Sequence, residues 1–161
     1  LMANNAQIVW DGTPLTVLTG ATAVVADAAY SVSGTNATLV AWDNTAAADR
    51  WPMAKATFKG TFTAAPDLGS TIDLYYTAID MTGDTDDETV PTTSTQEGAH
   101  FLGSFRVPNT ATSQYNIELV ISTLGFEIVQ FHNYNGGGDT LEYTPTAWTV
   151  AIEGFTLTPS V

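Results

Sequence analysis

The chain contains no cysteine, which excludes a disulfide framework, a thiolate metal site and a cysteine nucleophile. Cations are scarce too. Arg50, Lys55, Lys59 and Arg106 stand against seventeen acidic residues, and the formal net charge is −13. A field of that sign repels phosphate backbones and anionic headgroups, so neither nucleic acid nor an anionic membrane surface is an expected partner. No apolar run approaches the roughly 18 residues that suggest a membrane span. The opening residues, Leu1-Met2-Ala3-Asn4-Asn5-Ala6-Gln7, lack the basic start and apolar core of a signal peptide. Charged residues make up only 13% of the chain, about half the usual share, so the surface must be polar through Thr, Ser, Asn and Gly. Leu, Glu, Lys and Arg, which favour helices, are sparse, and the remaining bias suits strands and turns.

Against these absences, 44% of the 161 residues are hydrophobic and 11% aromatic, enough for one real core in a single domain. Period-two patterning recurs along the chain. Asn36 to Trp42 alternates with both faces largely apolar, which predicts a central strand. Lys55 to Phe62 alternates aromatics with small and charged residues. Thr71 to Asp80 places Ile72, Leu74 and Tyr76 on one face and Asp73 and Tyr75 on the other. Strands are also predicted at His100 to Val107, Tyr115 to Ile121, Phe126 to Tyr134 and Ala147 to Leu157, the last with Gly154 as a bulge. The acidic, Thr-rich stretch from Met81 to Gly98 has no apolar period and carries Pro91, so it reads as an exposed loop that joins two sheets or caps one end. Many short strands with no helical period predict an all-β fold, an antiparallel two-sheet β-sandwich of jelly-roll type. Residues 1–35 hold short β-prone pieces with little large apolar material. They are expected either as an arm that orders against a neighbouring subunit or as edge hairpins, with residues 36–161 forming the sandwich.

No constellation for chemistry emerges, and an enzyme is not expected. Asp84, Asp86, Asp87 and Glu88 are the one dense set of hard oxygen ligands. An EF-hand loop would require glycine at Thr89 and a bidentate glutamate at Thr95, so they are weak calcium candidates and a solvated acidic loop is the plainer account. His100 and His132 lie on separate predicted strands without a third ligand, which argues against zinc and for packing on aromatics. Ser104 lies close to His100, but no nucleophile elbow surrounds any serine. The Gly136-Gly137-Gly138 run lies between strands and has no Lys-Ser/Thr after it, so it is a turn and not a phosphate cradle. No cofactor is expected. Trp42 and Trp148 fall within patterned strands and are expected in the core. Trp51, in a loop beside Arg50 and Pro52, is expected as an interface anchor together with Arg50.

Three stretches together carry a resemblance. They are Lys55 to Phe62 with Gly69-Ser70-Thr71-Ile72-Asp73-Leu74-Tyr75-Tyr76, then His100-Phe101-Leu102-Gly103-Ser104-Phe105-Arg106-Val107, then Phe126 to Gly136. Their succession resembles small structural proteins of tailed bacteriophages over the last two thirds of the chain; the Ala-rich first third departs from that pattern. The resemblance implies a jelly-roll-like virion component, a capsid decoration or cement protein on the outer surface of the head. Its implied partners are the major capsid protein or another virion protein and further copies of itself, as a trimer or dimer. It brings no catalytic residues. The alternative expectation is a carbohydrate- or receptor-binding β-sandwich module on the virion surface, with surface glycans as its ligands.

Overall fold

The computed structural model describes residues 6–20, 24–25, 30–31, 37–46, 50–62, 64–80, 98–110, 114–135, 141–142 and 148–159. Every regular element among them is a strand. In chain order these are β1 (Ala6–Trp10), β2 (Leu15–Gly20), β3 (Val24–Val25), β4 (Ala37–Leu39), β5 (Trp42–Asp43), β6 (Met53–Thr61), β7 (Thr71–Asp80), β8 (His100–Arg106), β9 (Gln114–Ser122), β10 (Ile128–Asn135), β11 (Leu141–Glu142) and β12 (Thr149–Pro159). One sheet runs β4-β2-β12-β6-β9, with β1 alongside the second half of β12. The other runs β5-β10-β7-β8, and β3 and β11 form a separate two-stranded ribbon. All pairings are antiparallel.

Alternation in sequence becomes alternation in burial. On β6, Ala54, Ala56 and Phe58 are buried while Lys55, Thr57 and Lys59 face outward. On β7, Ile72 and Leu74 turn inward, as the pattern predicts. The core between the sheets centres on Phe58, whose ring packs at 6.4 Å from Phe62, 5.9 Å from Phe105 and 6.3 Å from Trp148. Each such fully buried side chain contributes about 1.5–3 kcal/mol over its exposed state. Trp42 and Trp148 are both buried, as their strand positions predict.

Three features differ from the sequence expectation. The 36–42 stretch is not one central strand. Ala37–Leu39 forms an edge of the first sheet and Trp42–Asp43 an edge of the second, so the chain changes sheets at Val40–Ala41. A segment that turns between sheets presents apolar residues on both sides, which imitates a strand buried on both faces. Gly154 is no bulge: the register of β12 with β6 runs unbroken through Gly154↔Ala54, and the irregularity lies between Val150 and Ala151, toward β2. The stretch between β7 and β8 joins two neighbours in one sheet and not the two sheets, because β7 and β8 pair directly. Before residue 36, β1 and β2 are built into the first sheet, and Val17 and Leu18 are fully buried there.

Candidate functional site

Two connections converge at one end of the sandwich. The first follows β5 and leads into β6; the second links β9 to β10. Between them lies a cleft of about 190 Å³ lined by Asn44, Arg50, Trp51, Pro52 and the 123–127 turn. The turn is local in origin: Phe126 N–H donates to Thr123 O at 3.1 Å, and Gly125 takes φ +85°, which an L side chain rarely adopts.

Asn44 holds the two connections together. Its backbone N–H donates to Glu127 O at 2.8 Å, and its side-chain Oδ1 accepts from Trp51 N–H at 2.9 Å. Its Nδ2 donates to Trp51 O at 3.2 Å and Phe126 O at 3.4 Å. The Thr123 hydroxyl donates to the same Trp51 carbonyl, and Thr123 N–H to Pro52 O at 3.0 Å. With Trp51 fixed in this way, its ring covers the backbone of Gly154; a Cβ there would lie 2.3 Å from Trp51 Cγ. Glycine is required at 154 for that close approach.

The expected anchor pair, Arg50 and Trp51, therefore lies together in a cleft, but with unequal freedom. Trp51 is half-buried and packs against the core, while Arg50 is exposed, with Nε donating to Thr45 O at 3.3 Å. The exposed apolar group is Leu124, at 75%. Leu124 was not legible as a site residue; the one sequence signal was the turn-forming Leu124-Gly125 step between two strands. Arg50 and Glu127 put opposite charges among apolar surfaces, while the Thr123 hydroxyl is engaged with a backbone carbonyl. An exposed leucine and a pair of opposite charges on a fixed backbone frame can hold a partner or ligand.

The other candidates are dispersed. Asp84, Asp86, Asp87 and Glu88, and the Gly136–Gly138 run, lie outside the described residues. Among the described residues no three His, Asp or Glu side chains gather as metal ligands. His100 on β8 and His132 on β10 are separated by β7. His100 stacks on Tyr76 at 5.0 Å between ring centres. His132 is fully buried: Nδ1–H donates to Ser31 O at 3.3 Å, and Nε2 lies 3.1 Å from the Thr77 hydroxyl, which donates to it in this tautomer. Desolvation pushes its pKa down to about 4, with the Ser31 bond opposing. Nearby, Tyr30, Tyr75, Tyr134 and Phe101 form an aromatic cluster on the second sheet, from which Phe101 is exposed. Burial raises the Tyr30 and Tyr75 pKa values, so both phenols stay protonated at neutral pH.

No protein-family model matches the chain, and no curated protein matches it.

Proposed function

We propose that the protein is a non-enzymatic virion component of tailed-phage type, a decoration protein that docks on the outer surface of a capsid and stabilises contacts between its subunits. One observation carries the reading. Taken in chain order, β2, β5, β6, β7, β8, β9, β10 and β12 distribute as β2-β12-β6-β9 on one sheet and β5-β10-β7-β8 on the other. That distribution supports a jelly-roll reading, an architecture common in viral capsid and lectin domains, in line with the resemblance carried by the last two thirds of the sequence. Fold alone does not assign function, so the reading also draws on the site. The end cleft supplies an exposed leucine and arginine on a rigid, clamped frame, as an anchor for protein recognition requires. Stabilisation then follows from mass action, because a ligand that binds only assembled shells favours the assembled state.

A second reading, a glycan-binding module, is favoured by the exposed Phe101 ring set edge-on to Tyr75 at 5.4 Å, a surface on which a sugar ring can stack. Co-sedimentation with shells lacking the protein, run beside a glycan array, separates the two. Saturable shell binding with silent glycans is the expected result; glycan binding without shell binding replaces the first reading by the second.

A further inference from the structure

We infer that two copies of this chain pair edge to edge through β9, antiparallel about a two-fold axis at Leu119, so that the first sheet continues from one subunit into the next. This does not rest on the capsid reading.

Among the described residues the two sheets leave open strand edges at β1, β4, β5, β8 and β9. An open strand edge is a template for another strand, and proteins guard such edges with short strands, bulges or inward-pointing charges. β1, β4 and β5 are short, with five, three and two residues, and β8 is interrupted by a register shift opposite Leu74/Tyr75 and by Gly103. β9 has neither protection. Its nine residues pair with β6 in unbroken register, and among the described residues no strand pairs with its other edge.

Parity then selects the partner's position. Thr123 N–H donates to Pro52 O just beyond β9, so odd-numbered residues direct their backbone groups to β6 and even-numbered ones direct theirs to the open edge. Antiparallel self-pairing must match even with even, which places the axis on a residue. An axis at Glu118 sets that carboxylate against its own copy. An axis at Leu119 pairs Asn116 with Ser122, Glu118 with Val120 and Ile117 with Ile121 of the second copy, using all of residues 116–122 and opposing no like charges directly.

Charge points to the same surface. The outward residues of β6, β9 and β12 include Lys55, Lys59, Glu118 and Glu153, whose formal charges cancel, on a protein whose total is −13. Lys55 lies 3.4 Å from Glu118 and 3.8 Å from Glu153. Two acidic molecules therefore meet here with less repulsion than a surface of average charge would give. Val120, 57% exposed, is the apolar group this contact would cover.

The test uses the intact chain. Analytical ultracentrifugation is expected to give about 34 kDa, twice the 17.0 kDa of one chain. Val120→Glu, which sets a second carboxylate opposite Glu118 of the other copy on both sides of the axis, should weaken association at least about tenfold. Because the chain has no cysteine, single-cysteine variants read the register directly. Leu119→Cys sits at a non-hydrogen-bonded pair, where Cα atoms approach to about 4.5 Å, and should oxidise to a disulfide-linked dimer. Ser122→Cys, remote from its copy in this register, should not. A monomer at high concentration, a dimer indifferent to Val120→Glu, or equal cross-linking of the two cysteine variants would overturn the proposal.

Discussion

Acidification should cost the fold about 3 kcal/mol by pH 4 through His132 alone. The side chain is fully buried, donates to Ser31 O and accepts from Thr77, and its pKa is held at about 4 against an ordinary 6.5. The folded value lies below the unfolded one, so protonation favours the unfolded chain. The contribution is nearly complete at pH 7, is lost as pH falls from about 6.5 through about 4, and levels off below that. With those two values the loss is about 2 kcal/mol at pH 5 and about 3 kcal/mol at pH 4. Seventeen carboxylates titrate over part of the same range, so the wild-type profile alone does not isolate the histidine. His132→Asn does, because its amide can still donate toward Ser31 O but cannot take a proton. Urea unfolding followed by tryptophan fluorescence at pH 7, 5 and 4 gives the stability of both proteins. The advantage of wild type over the variant should shrink by about 2 and then about 3 kcal/mol. Parallel profiles would refute the assignment of a neutral, desolvated imidazole.

Other expectations follow from the clamped end of the sandwich and the outer sheet face. Gly154→Ala drives a methyl into the Trp51 ring and should cost about 1–3 kcal/mol in urea unfolding, with a shift in tryptophan emission. Asn44→Ala leaves the Trp51 amide without its acceptor in a half-buried setting and should cost about 2–3 kcal/mol, measured in the same way. Lys55→Met removes contacts with Glu118 and Glu153 and the ammonium placed 4.8 Å from the Trp10 ring centre. Since the Glu118 side chain is 59% exposed, the stability change should stay below about 1 kcal/mol.

What was legible in the sequence followed a single physical rule. Where one strand face is buried, the residues alternate, and Ile72 and Leu74 are both buried where that alternation places them. The rule fails where tertiary contacts set the residue. Gly154 is glycine because an indole lies on it, not because the strand kinks, and nothing near it in sequence announces Trp51. The double apolar face of 36–42 came from a change of sheet within the segment, which periodicity cannot distinguish from burial on both sides. The site divides in the same way. Arg50 and Trp51 were legible as a loop pair, whereas Asn44 and the 123–127 turn come together through contacts of Thr123 with Trp51 and of Asn44 with Phe126, across 72 and 82 residues of chain. His132 was read as a strand histidine packed on an aromatic. Its actual partners, Ser31 and Thr77, are 101 and 55 residues away.

The central claim, that this is a non-enzymatic protein docking on an assembled shell through its clamped end, is tested most directly by a shell-binding isotherm for wild type beside Leu124→Asp. Leu124 is exposed, so the variant should fold normally while losing about 2 kcal/mol of binding, roughly thirty-fold in affinity. Saturable binding by wild type with that loss in the variant is the predicted result. Wild-type protein that fails to bind shells, or a variant that binds as tightly as wild type, would contradict the account.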